Sequence, residues 1–77
     1  PVVYPNPFVN NIKALLGTIQ SEVEVDIYAP TGRLLRSKEY RVDDNTIEID
    51  FDGLASGWYI ITIKAANMTT FYKVLKK

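Results

Sequence analysis

The sequence predicts an all-β fold, a small Ig-like antiparallel β-sandwich of about seven strands, and three observations predict it. Short strand-like stretches recur at regular spacing with turn residues between them, and no linker, repeat or low-complexity segment interrupts the series. Two of those stretches, Glu22 to Ile27 and Thr46 to Phe51, alternate polar with β-branched or aromatic side chains, the two-residue period of a half-buried strand. A third, Gly57 to Ile63, is the most apolar segment and carries apolar side chains on both faces, so it reads as a strand inside a sheet with both faces covered. At 77 residues the chain is expected to be one domain, residues 1–77, burying roughly 60% of the surface its unfolded form exposes.

Taken in order, Val2-Val3-Tyr4 is a short extended piece. Pro5-Asn6-Pro7 keeps the backbone extended and ends its pairing, and Phe8 follows as an anchor. Ile12 to Ile19 is read as a strand: Lys13 to Leu16 has helical propensity, but eight residues without a cap are short for a helix. In the next strand Val23, Val25 and Ile27 face the core, and Glu22, Glu24 and Asp26 form a wet acidic face. Ala29-Pro30-Thr31-Gly32 is a hairpin turn, with proline where φ near −65° is wanted and glycine where a left-handed residue forms a bulge. Arg33 to Arg41 returns from it. Asp43-Asp44-Asn45 makes the next turn, after which Ile47, Ile49 and Phe51 point inward against Glu48 and Asp50. Gly53 and Gly57 bracket the turn into the central strand, and Ala66-Asn67-Met68 makes the final hairpin. Thr69 to Lys76 closes the series with either Phe71 and Leu75 or Tyr72 and Val74 inward. The core expected from the alternation includes Val23, Val25, Ile27, Ile47, Ile49, Tyr59 and Ile61.

Nine basic residues balance nine acidic ones, which gives no net field to hold nucleic acid or an anionic membrane. No apolar run is long enough to span a bilayer. The distribution is uneven: acids gather at Glu22 to Asp26 and Asp43 to Asp52, whereas Lys64 to Lys77 holds four lysines and no acid. With neither cysteine nor histidine, thiolate and imidazole chemistry is excluded, and disulfides with it. Ser21, Ser37 and Ser56 lie in or beside turns or on polar faces, so no enzymatic activity and no cofactor are expected. Gly53 and Gly57 precede a strand and not a helix, which argues against a phosphate loop. The acids between 43 and 52 lack the glycine and glutamate of a calcium loop, and solvated turn residues explain them more simply. Tyr28, Tyr40, Trp58, Tyr59 and Tyr72 could form a sugar- or peptide-binding face, although packing is the more economical use of aromatics in so small a domain. One exposed aromatic row would mark such a face.

Four blocks, in order along the chain, carry a resemblance. They are Tyr4-Pro5-Asn6-Pro7-Phe8, then Val25-Asp26-Ile27-Tyr28 with Thr31-Gly32-Arg33-Leu34, then Gly53-Leu54-Ala55-Ser56-Gly57-Trp58-Tyr59-Ile60, and finally Tyr72-Lys73-Val74-Leu75-Lys76-Lys77. Together they resemble the C-terminal sorting domains of the type IX secretion system of Bacteroidetes. Trp58 stands where that family usually has a smaller apolar residue, and Ala29-Pro30 replaces its commoner acidic residue. The resemblance implies a non-catalytic signal that directs an upstream cargo in cis through the periplasm and across the outer membrane to the cell surface or medium. A surface sortase then removes it, and many cargoes are coupled to anionic lipopolysaccharide. Type IX translocon and sortase components are the implied partners of a monomeric domain. The implied recognition residues are Tyr4, Pro5, Asn6, Pro7, Gly32, Arg33, Gly53, Leu54, Gly57, Tyr59, Lys73, Lys76 and Lys77, with the three lysines read as exposed charges. Pro1 is not a translation start, so the sequence reads as a processed or excised piece. The alternative is a structural or carbohydrate-binding β-sandwich module of a cell-surface enzyme.

Overall fold

The computed structural model describes residues 2–17, 21–65 and 68–77. Its strands are β1 (Val2–Tyr4), β2 (Asn11–Leu15), β3 (Glu22–Tyr28), β4 (Leu34–Arg41), β5 (Thr46–Asp50), β6 (Gly57–Ala65) and β7 (Met68–Lys76). They form two antiparallel sheets, one ordered β1-β2-β5 and the other β4-β3-β6-β7. Alternation explains the layering. Each strand turns every second side chain toward the other sheet, so Ile12 and Ala14, Ile47 and Ile49, Val23, Val25 and Ile27, and Tyr59, Ile61 and Ile63 meet in one buried core. All seven residues expected there are buried.

Turn chemistry fixes the register. In the β3–β4 hairpin Gly32 N–H donates to Ala29 C=O (2.8 Å) and Ala29 N–H to Arg33 C=O (2.9 Å), with Gly32 at φ +96°. Asp44 and Asn45 both take positive φ, 53° and 60°, between the paired residues Asp43 and Thr46, a conformation that asparagine and aspartate tolerate better than other side chains. The peptide bonds Tyr4-Pro5 and Asn6-Pro7 are cis.

Four expectations change. The strand expected over Ile12 to Ile19 ends at Leu15, with Leu16 still buried; Thr18 and Ile19 lie outside the described residues, as do Ala66 and Asn67 of the final turn. The two-way choice on the last strand resolves to Tyr72 and Val74 inward, because β7 pairs them with Ile61 and Tyr59 on the core side, and Phe71 is left 70% exposed. Asp26, expected on a wet face, is only 4% exposed. Ser37 of β4 and Thr62 of β6 flank it in register, and Tyr28 and Lys64 lean over it. Finally, β6 lies inside its sheet between β3 and β7 as expected, but its outer face is only partly covered: Trp58 is 47% exposed and Ile60 half-buried, because no second layer of the described residues packs there.

Candidate functional site

The register places all four sequence blocks at one end of the sandwich. β3 stops at Tyr28 opposite Ile60, β4 starts at Leu34, β6 starts at Gly57 and β7 stops at Lys76, so the 29–33 and 51–56 turns and the last residues adjoin. β2 begins at Asn11 against Asp50, which brings the Pro5 to Phe8 segment to the same end.

That segment is fastened along the free side of β7. The Asn6 amide imitates a peptide group: its Nδ2 donates to Lys73 C=O (3.3 Å), and Leu75 N–H donates to its Oδ1 (3.0 Å). Phe8 continues the pairing in parallel sense, its N–H donating to Leu75 C=O (3.0 Å) and its C=O accepting from Lys77 N–H (2.7 Å). The buried Phe8 ring meets Phe51 edge-on at 4.6 Å, and Phe51 meets Tyr59 at 5.4 Å, so the first and third blocks are joined through Phe51 in one aromatic cluster.

The turn between β5 and β6 is held by two cations. Arg36 donates Nη1 to Asp50 C=O (2.8 Å) and Nη2 to Asp52 C=O (2.7 Å). Lys76 Nζ donates to Phe51 C=O (3.3 Å) and to Leu54 C=O. Tyr59 OH donates to Ala55 C=O, and Leu54 N–H to Phe51 C=O (3.0 Å). Carbonyls that a turn leaves unpaired are thereby satisfied from the opposite sheet and the last strand. Arg36 escaped the sequence reading because its acceptors are main-chain oxygens 14 and 16 residues away, which nothing in the local sequence marks.

Among the expected recognition residues, Tyr4, Pro5, Asn6, Pro7 and Arg33 are exposed, as are Gly32 and Gly53. Leu54 is half-buried against the core, Gly57 is half-buried at φ +144°, and Tyr59 is buried. The lysines differ. Lys77 is exposed, Lys73 is exposed with its Nζ 4.7 Å above the Trp58 ring, and Lys76 is half-buried in the carbonyl contacts just described. Reading Lys76 as one more exposed charge is therefore corrected: its ammonium is a structural brace.

The aromatics do not form one row. Tyr59 is buried, Tyr40 faces the other sheet and accepts a hydrogen bond from Asp50 N–H (3.1 Å), and Tyr72 pairs on the core side. Trp58 lies on the outer face of the four-stranded sheet, where Tyr28 is half-buried. The acids of 43 to 52 are also divided. Asp43 and Asp44 sit in the turn at the far end, while Glu48, Asp50 and Asp52 line an open depression with Asn10 and Asn11. No group of three side chains able to hold a metal ion occurs among the described residues.

On the outer face Asp26 accepts from Ser37 Oγ (2.6 Å) and Tyr28 OH (3.4 Å) and lies 3.2 Å from Lys64 Nζ, which also reaches Glu24 at 3.3 Å. Burial alone would raise the Asp26 pKa, but the Ser37 and Lys64 hydrogen bonds and the ammonium charge together hold it below the ordinary carboxylate value. The same carboxylates raise the Lys64 pKa, Asp26 foremost. Beside them, the Thr62 hydroxyl is buried without a hydrogen-bond partner among the described residues.

A family described as the secretion system C-terminal sorting domain matches residues 2–77. No curated protein matches the chain.

Proposed function

The chain belongs to the secretion system C-terminal sorting domain family of type IX secretion, and on that premise we propose that it is a non-catalytic address for an upstream cargo, recognised at the end of the sandwich where its four blocks meet. Such domains belong to proteins exported to the cell surface or secreted, with cargo in cis and the type IX machinery acting on them. In the proposed sequence of events, the cargo waits in the periplasm with this domain folded and monomeric. Translocon components bind the domain and the cargo crosses the outer membrane. A surface sortase then removes the domain. The observation that carries the reading is the family match over residues 2–77; the joining of separate blocks through Asn6, Phe8, Lys76 and Tyr59 supports it.

The test is a reporter. Fused behind a signal peptide and a fluorescent protein in a type IX-competent host, the chain is expected to deliver fluorescence to the surface or medium with removal of the domain. Periplasmic retention of the intact fusion overturns the assignment. Changing Lys73 and Lys77 to Gln is expected to lower delivery while leaving melting nearly unchanged, since both charges are exposed. Saturable binding of the purified chain to a polysaccharide, lost on Trp58→Ala, is the result that would favour a carbohydrate-binding module.

A further inference from the structure

The four strands at the sheet edges are not equally protected. β4 carries Arg36, Lys38, Glu39 and Arg41, the charge that natural edge strands use against unwanted pairing. β1 is three residues long. On β5, Asp50 has its N–H and C=O taken by Tyr40 and Arg36. β7 is closed only in its second half, where Asn6 and Phe8 occupy Lys73 C=O, both groups of Leu75 and Lys77 N–H.

Ladder bonds alternate along a strand, so the residues that face away from β6 are the odd-numbered ones. Thr69 and Phe71 thus direct both backbone groups, and Lys73 its N–H, to the free side, and no partner meets them among the described residues. From Met68 to Tyr72 the strand has no charge, and Phe71 beside the open groups is 70% exposed.

We propose that the β7 edge from Thr69 to Lys73 is a docking site for an extended acidic segment of a partner protein, which adds to the four-stranded sheet as a fifth strand. The proposal goes beyond the sorting reading, since Thr69 to Phe71 lie outside the four blocks, and rests on it only for the partner's place in the export machinery. Backbone pairing supplies the contact, and side chains two residues apart supply the selection: an apolar one beside Phe71 and a carboxylate beside Lys73. Charge decides between occupants. Lys73 is the exposed lysine of this edge, since Lys64 is paired with Glu24 and Asp26 and Lys76 with turn carbonyls, and no acid lies between Lys64 and Lys77; the edge therefore complements a carboxylate and offers none to a second copy's Lys73.

The probe is the capped pentapeptide Glu-Thr-Val-Thr-Glu, symmetric so that either strand direction sets valine against Phe71, with Lys-Thr-Val-Thr-Lys as its counterpart. Amide resonances of the labelled 77-residue chain are followed during titration to millimolar peptide. Shifts centred on Thr69 to Lys73, with at least fivefold tighter binding of the glutamate peptide, are expected. Phe71→Pro, which removes one outward N–H and no bond to β6, is expected to weaken binding at least tenfold. Phe71→Glu keeps the backbone donor, repels the same peptide and is expected to do likewise; circular dichroism confirms that each variant is folded. Equal binding of the two peptides, shifts centred on β4, or no shift overturns the proposal. So does a concentration-dependent shift of the same amides without peptide accompanied by a dimeric mass, which assigns the edge to a second copy. None of these measurements needs a secreting cell, so failure here is distinguishable from failure of the reporter to be exported.

Discussion

Lys76 and Lys77 are neighbours of like charge with different work. The Lys76 ammonium satisfies two carbonyls of the turn that leads into β6, whereas Lys77 contributes its backbone N–H to Phe8 and leaves its side chain in water. Hydrogen bonds from charged donors contribute about 1.5–3 kcal/mol, so Lys76→Gln is expected to lower stability by roughly 2 kcal/mol in urea unfolding, and Lys77→Gln by under about 0.5 kcal/mol. Nothing in the sequence distinguishes the two, because the acceptors are main-chain oxygens 22 and 25 residues away. Asp26 was misplaced for a related reason: alternation tells which face a side chain takes, not whether neighbouring side chains close over it. Its pKa is depressed in the folded state, so its contribution is present above the unfolded carboxylate value, near about pH 4, and is lost as pH falls through the lower folded value. Acid titration of the melting temperature below about pH 4 is therefore expected to be steeper for the native chain than for Asp26→Asn.

At the scale of the element, turns and half-buried strands were the most legible, because a turn residue is chosen for a local reason. Gly32 and Gly57 hold φ values of +96° and +144°, and a Cβ at either meets no atom within 4 Å. Backbone strain alone then sets the effect of substitution, and Gly→Val is expected to cost on the order of 1–3 kcal/mol at each, read as a loss of melting temperature. The alternation of β3 and β5 announced their inward faces. β7 did not, since both of its faces carry large apolar groups, and only the pairing with Tyr59 and Ile61 selects Val74 and Tyr72. Pairing between strands is information that no single stretch contains. The candidate site was legible as four blocks but not as one place, and the groups that join them, Asn6 along β7 and Arg36 across the sheets, act over separations that local patterns do not register.

For the molecule as a whole, the last strand is part of the core and part of the candidate site at once. Removing Val74 to Lys77 takes away a fully buried side chain, the brace on the 51–54 turn and the pairing partner of Phe8. Such a truncation is expected to abolish cooperative melting, which makes it a poor test of recognition; the Lys73 and Lys77 double change leaves those contacts in place. One further consequence comes from β1. Its register sets Val2 against Leu15, and Leu15 against Thr46, whereas the blocks gather where Asn11 meets Asp50. Four residue steps of roughly 3.3 Å put these levels about 13 Å apart along the strands. A protein joined ahead of Val2 is thus tethered toward the end away from the blocks, and its bulk has room to lie there without shadowing them, so one handle can serve freight of very different size and shape.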